Sequence, residues 1–268
     1  MKQYAVIWMF IVCCLAGCGE AKHSAAAPPR RPSVPLQKDF SMDLGAGVSM
    51  EFVLIPSGEF IMGSNNGGND ERPPHKVTIA KPFYLGKYEV TQKQWQTLMG
   101  DNPSHHKGDN KPVEWIRWYD CDRFMTELKR VAPGNQFRLP TEAEWEYACR
   151  AGTTNERHCA DTELGEYAWY EKNSDSMTHP VGQKKPNAWG LHDMHGNVLE
   201  WCQDFYVPNY DGAPADGTAR PKGAEGNRVL RGGSYDSPTN KVRSTYRCWG
   251  YPPVRHKIIG FRVLLETP

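Results

Sequence analysis

Gly190-Leu-His-Asp-Met-His-Gly-Asn-Val-Leu-Glu-Trp201 is the stretch whose reading decides the fold. Asp193 and Glu200 stand seven residues apart, with Gly196 and Asn197 between them. Two carboxylates at that spacing can wrap a hard cation with side-chain and carbonyl oxygens. The alternative needs no metal: Asn197 and Glu200 hydrogen-bond neighbouring loops instead. Upstream lies Arg138-Leu-Pro-Thr-Glu-Ala-Glu-Trp-Glu-Tyr147, and downstream come Arg231-Gly-Gly-Ser-Tyr235 and Gly260-Phe-Arg262.

Between these blocks regular periodicity is sparse. Glu51–Pro56 and Gly58–Gly63 read as short strands broken by Pro56-Ser57-Gly58, and 75–79 and 82–86 resume strand character. Thr91 is a helix N-cap for Gln92–Met99, with Gly100 the stop. Asp120–Val131 predicts an amphipathic helix burying Cys121, Phe124, Met125, Leu128 and Val131. Thr141-Glu-Ala-Glu144 is a capping box that opens a third helix to about Arg150. In that helix Glu142, Glu144 and Glu146 read as caps and solvated positions, and Trp145 and Tyr147 as core. Two or three helices among many short strands and long loops predict an α+β domain.

The ends and the composition bound the rest. Lys2, the apolar run Tyr4–Leu15 and Leu15-Ala-Gly-Cys18 have the form of a lipoprotein signal over 1–18, with Cys18 the lipidated residue. Gly19 after Cys18 predicts, by the sorting convention, an anchor in the outer membrane of a bacterial envelope. An Ala/Pro-rich tether over 19–45 precedes a domain over 46–268. Net charge is +1 with 24% charged residues, which gives no basis for nucleic-acid binding. Five cysteines remain after the signal: Cys121, Cys149, Cys159, Cys202 and Cys248. An exported chain permits disulfides, an odd count leaves a thiol over, and no pair has zinc-finger spacing. His105-His106, and the pair His192 and His195, lack a third ligand at helical or strand spacing, so no transition metal is expected at either.

In order and spacing, the four blocks resemble the formylglycine-generating enzyme (sulfatase-modifying factor) domain family. The resemblance runs from about Met50 to Val263 and implies a C-type-lectin-like arrangement with little regular secondary structure. It implies a calcium ion held at Asp193, Gly196, Val198 and Glu200, two by side chain and two by carbonyl; Asp193 stands where the oxidase has Asn. It also exposes a departure. The oxidase binds copper through two cysteines, and those positions here read Ser237 and Val242. Neither is a soft ligand, so copper is not expected.

The segment Cys248–Ile259 is rich in Trp, Tyr, His and Arg, the composition of a recognition surface. In some relatives this region is a variable ligand-binding patch. The expectation is an envelope lipoprotein with a non-catalytic binding or structural role. Tyr235, Trp249, Tyr251, Arg255 and His256 would face a protein, peptide or glycan ligand, and Cys18 would supply the membrane contact. One alternative has Trp249 and Tyr251 packing against the domain. The other is a formylglycine-type or different metal-dependent oxidase acting on protein cysteine.

Overall fold

A computed structural model describes residues 37–221 and 226–268. The expected signal, Cys18 and the tether up to residue 36 lie outside the described residues. Within the described residues no helix is long and apolar enough to cross a membrane.

The elements are β1 Asp39–Gly45, β2 Val48–Ile55, β3 Gly58–Met62, β4 His75–Ile79, β5 Phe83–Gly86, α1 Gln92–Met99, α2 Trp118–Val131, β6 Phe137–Arg138, α3 Glu142–Arg150, α4 Leu164–Tyr167, β7 Leu199–Phe205, β8 Arg228–Arg231, β9 Arg247–Gly250, β10 Ile259–Gly260 and β11 Leu264–Glu266. They build a five-stranded sheet in the order β1-β2-β5-β11-β6, a four-stranded sheet β10-β7-β8-β9, and the hairpin β3-β4. The last strand, β11, sits inside the first sheet between β5 and β6. The chain therefore closes on itself, and the long loops run between fixed ends.

Alternation along the strands explains why both faces of the main sheet are covered. Successive side chains point to opposite faces. Met50, Phe52, Tyr84 and Leu265 join a core with Trp95 of α1 and Cys121, Phe124, Met125 and Leu128 of α2. Val53, Ile55, Leu85 and Leu264 join another with Ala143, Trp145 and Tyr147 of α3. Trp95 stacks on Phe124 at 5.5 Å, and Phe261 meets both edge-on.

Local signals hold at the helix starts. Thr91 Oγ1 accepts from Gln94 N, and Thr141 Oγ1 from Glu144 N, each with the reciprocal bond of a capping box. Gly100 ends α1 at φ 82°. Three expectations need correction. Val131 is exposed, because α2 ends there at the edge of its apolar stripe and the chain turns out through Pro133-Gly134. The tether drawn to residue 45 ends sooner, since β1 pairs along β2 and Phe40 packs on Phe52 and Tyr84. All five cysteines are free thiols.

The third helix brings the largest departure. Glu144 caps α3 and pairs with Arg138, but Glu142 and Glu146 are buried, not solvated. Glu142 receives Arg247 through two bonds of 2.6 and 3.0 Å. Glu146 receives Arg150 at 2.9 Å and also Arg231, which in addition lies 3.7 Å from Glu142. Arg231 and Arg247 also tie loops through carbonyls, at Ser244, Thr245, Tyr246, Asp70 and Val207. Burial alone would raise Glu142, but Arg247 and Arg231 hold it below the usual carboxylate range.

Removing one partner of such a pair leaves an uncompensated buried charge and costs about 3–5 kcal/mol. Glu142→Ala is expected to lose that much in urea unfolding, whereas Glu127→Ala, on an exposed pair with Arg130, should lose less than about 1 kcal/mol. Equal losses would remove the buried pairs from the account of stability.

Candidate functional site

The Gly190–Trp201 block is a tight loop whose backbone demands its residue types. Gly196 lies at φ +82°, and a Cβ there would come within 2.0 Å of the Trp169 carbonyl oxygen. Asp193 and Asn197 occupy the left-handed region at φ 56° and 55°, which Asn and Asp tolerate better than most residues. Asn197 ties three segments together: its Nδ2 donates to Glu89 Oε2 at 2.7 Å, and its Oδ1 accepts from His179 N at 3.0 Å. Val198 N donates to the other Glu89 oxygen at 3.1 Å.

Glu89, Asp193 and Glu200 are all buried, with Arg262 among them. Both Glu200 oxygens are held by Arg262, at 2.6 and 2.7 Å, and one also accepts from Trp145 Nε1 at 2.7 Å. Burial, then Asp193 and Glu200, pushes Glu89 well above its ordinary value. Burial likewise raises Asp193 to about 6. Asp193 Oδ2 accepts from Gly182 N at 2.7 Å, while buried Oδ1 has no partner. An orphaned carboxylate oxygen beside two more buried acids suits a hard cation. The fit centres on Asp193, since Glu200 is already committed to Arg262 and Trp145. Sequence reading missed Glu89, which lies far from the block in the chain.

At the positions where copper ligands would stand, Ser237 Oγ accepts from Ser234 N at 2.9 Å and lies 3.2 Å from Ser234 Oγ. Val242 is fully buried against Leu164 and Ala168. The shell there is hydroxyl and aliphatic. Gly232 and Gly233 take φ 97° and 75°, and a Cβ on Gly233 would meet the Lys241 carbonyl at 2.9 Å, so the backbone there requires glycine. The buried thiols are poor nucleophiles: burial pushes Cys202 well up, Cys149 to about 12 and half-buried Cys159 to about 11.

The expected recognition segment is divided. Trp249 is 51% exposed and Tyr251 56%, which decides against the reading that both pack into the domain. Arg255 and His256 are also exposed. Tyr235 is not. It is 1% exposed, its ring edge-on to His106 at 5.2 Å, so it is removed from the contact surface. Its backbone N–H donates to Asn197 O at 2.8 Å.

The 249–256 loop is clamped to the start of α2. Trp118 N donates to Pro252 O at 3.1 Å, Trp115 N to His256 O at 3.2 Å, and Arg255 reaches Asp120 at 3.4 Å. Exposed Trp115, Tyr119 and Val254 belong to the same clamped segments. Sequence reading passed over Trp115 and Tyr119; Tyr119 sits off the apolar stripe of α2, which was the available signal.

The histidines divide as well. His192 Nδ1 lies 2.8 Å from Lys184 O and its ring packs on Tyr88. His106 lies 3.8 Å from Glu114. His195 is fully buried beside His158, a residue not singled out in the sequence. Burial lowers His158 to about 4 and His195 well below its usual value, so both rings are neutral.

The chain is similar to Chaperone protein LppX of Paenibacillus barcinonensis, 32% identical over 74% of this chain and 83% of the relative. It is similar to the formylglycine-generating enzyme of Streptomyces coelicolor, 34% identical over 78% of this chain and 87% of the enzyme. Among solved structures, Treponema denticola variable protein 1 superposes with a TM-score of 0.75 at 29% identity, covering 87% of this chain and all of that one. The architecture is thus the C-type-lectin-like α+β arrangement of that group. With the sulfatase-modifying factor enzyme 1-like model matching residues 45–267, the chain belongs to that domain family.

Proposed function

We propose that this domain is a non-catalytic binding module of the bacterial envelope, anchored through Cys18 and presenting the 249–256 loop with the start of α2 to a protein or peptide. The observation that carries the reading is the exposure of Trp249, Tyr251 and Tyr119 on segments whose backbones are fixed by hydrogen bonds. Rigid aromatics lose little entropy on contact, and Arg255 and His256 add polar anchors beside them. A chaperone and a variable protein among the similar chains fit a surface that meets other macromolecules. Anchoring in the outer membrane rests on the sequence signal alone.

Calcium belongs to the same proposal as a structural ion at Asp193, with carbonyls of Gly196 and Val198 and the nearby acids Glu89 and Glu200 as the remaining oxygen sources. Its effect would be to offset the crowded buried carboxylates. The rival reading, a formylglycine-type oxidase, is favoured by the similarity to the Streptomyces enzyme. Ser237 and Val242 stand against it, because a hydroxyl and an isopropyl group do not bind Cu(I).

Peptides selected by the parent chain from a displayed library are expected to lose binding to Trp249→Ala/Tyr251→Ala by tenfold or more, with the melting midpoint shifted by less than about 2 °C, as for surface positions. Undiminished binding would move the contact face elsewhere. Incubation with copper, oxygen and a Cys-x-Pro-x-Arg peptide is expected to give no aldehyde by mass spectrometry, and aldehyde formation would reinstate the oxidase.

The acid cluster gives a pH test. Asp193 titrates near 3.8 when unfolded and near 6 when folded, so its ionisation opposes folding progressively from about pH 4 to pH 6 and fully above. In chelator, Asp193→Asn is expected to be more stable than the parent at pH 7 and equal to it at pH 4. Millimolar Ca²⁺ at pH 7 should reverse that order. If calcium leaves the parent's midpoint unmoved, no structural calcium is held there.

A further inference from the structure

At the Gly190–Trp201 loop three groups with metal-ligating chemistry meet. Cys149 comes from the last turn of α3, His195 from the loop, and His158 from the segment between α3 and α4. One ligand atom from each lies within 4.8 Å of the others. The Cys149 Sγ to His195 Nδ1 separation is 3.7 Å. The two imidazoles stack with centroids 4.4 Å apart and planes 19° from parallel. No other group of three His, Cys, Asp or Glu among the described residues meets this closeness.

The polar atoms here are poorly satisfied for their burial. Both nitrogens of His158 and Nε2 of His195 are buried without hydrogen-bond partners. His195 Nδ1 lies 3.0 Å from Met194 O, and Cys149 Sγ has only long contacts, at 3.5 Å to Ser244 Oγ and 3.7 Å to Met194 O. An unpaired buried polar group costs about 1–3 kcal/mol, so three orphaned imidazole nitrogens in one pocket need a reason. Surface packing does not supply it, because Cys149 and His195 are each fully buried.

We propose that Cys149, His158 and His195 bind a single d10 transition-metal ion, Cu(I) or Zn(II). A thiolate and neutral imidazoles are the ligand types these ions share, and the absence of an acidic oxygen from the set excludes Ca²⁺ and Mg²⁺. With metal–sulfur and metal–nitrogen bonds near 2.3 and 2.0 Å, the ligand atoms of such a site sit roughly 3.3–4 Å apart. The Cys149–His195 pair already spans that distance, and His158 closes by under about 1 Å. His158 is the partly exposed member and marks the way in. On binding, the metal–sulfur bond replaces the S–H bond of Cys149 and the proton leaves to solvent. Burial works against that thiolate, and the Ser244 hydroxyl with the Arg231 and Arg150 guanidiniums works for it. The site stands apart from Asp193 and from Ser237, and does not rest on the binding-module reading.

The test uses the full-length chain stripped with a strong chelator, then titrated separately with Cu(I) under anaerobic competition and with Zn(II). One equivalent of at least one ion is expected to bind, with X-ray absorption showing one sulfur and two or more nitrogen neighbours. Cys149→Ser and His158→Gln should each weaken that binding at least 100-fold, while Cys248→Ser leaves it unchanged. His158→Gln, at the edge of the pocket, keeps the test valid if the core variant misfolds. Failure of both ions to bind stoichiometrically, binding indifferent to Cys149→Ser and His158→Gln, or a sulfur-free shell would each overturn the proposal.

Discussion

The structure depends on carboxylates of α3 being threaded into buried arginines of the second sheet. Arg231 on β8 and Arg247 on β9 are among the most enclosed side chains of the chain, and Glu142 and Glu146 are their partners. A guanidinium has five donors in a fixed fork and cannot shed its charge, so its burial dictates where every neighbouring acceptor must lie. Arg231 takes one carboxylate and the carbonyls of three different residues. Arg243 repeats the device with Glu71, and Arg262 with Glu200. Loops that make few sheet or helix bonds of their own are thereby given defined positions. Such lattices are weak sources of net stability, since desolvation offsets much of the attraction. Their contribution here is to select one arrangement of long loops over others that would bury similar apolar area.

What the chain displayed in its sequence follows from this division. Apolar alternation and helix caps are local, so the strands from β3 to β5, the start and stop of α1, and the capping box of α3 were readable at near-residue precision, while β2 begins three residues before the strand read at Glu51. Glu142 and Glu146 were not. A carboxylate in the first two turns of a helix is ordinarily solvated or a cap, and nothing within ten residues announces an arginine arriving from a strand some ninety residues later. Tyr235 was misjudged for the same reason. Its neighbours resemble a surface turn, but its ring packs inward against His106 while its N–H bonds Asn197 O. The same long-range closure hid His158 and Glu89, each of which gains its chemical meaning only from a distant segment.

The Gly190–Trp201 loop sits between two buried clusters of opposite character. On one side Asn197, Asp193 and Glu200 join Glu89 in an oxygen-rich pocket balanced by Arg262. On the other, His195 lies between Cys149 and His158. Adjacent residues of a loop with left-handed kinks point in different directions, so Asp193 and His195 serve separate environments although only Met194 lies between them. Hard and soft donors are thus sorted by backbone conformation, and a cation attracted to one pocket has no ligands to exchange with the other.

The departures from the oxidase fall where the scaffold can absorb them. Ser237 and Val242 are not members of the arginine lattice; Ser237 closes a small hydroxyl turn with Ser234, and Val242 fills an apolar niche against Leu164 and Ala168. A hydroxyl and a branched aliphatic group there sit at little cost to the fold, because each has a partner of its own kind. Of the residues that carry the lattice, Glu142, Glu146, Glu200, Arg231 and Arg262 lie within the motifs that reveal the family, and Glu71, Arg243 and Arg247 lie outside them. The architecture therefore does not depend on thiols at Ser237 and Val242, and what it delivers is a fixed frame. The 249–256 loop gains from that frame directly: β9 ties one end to β8, β10 ties the other to β7, and Trp249 and Tyr251 are exposed on that frame.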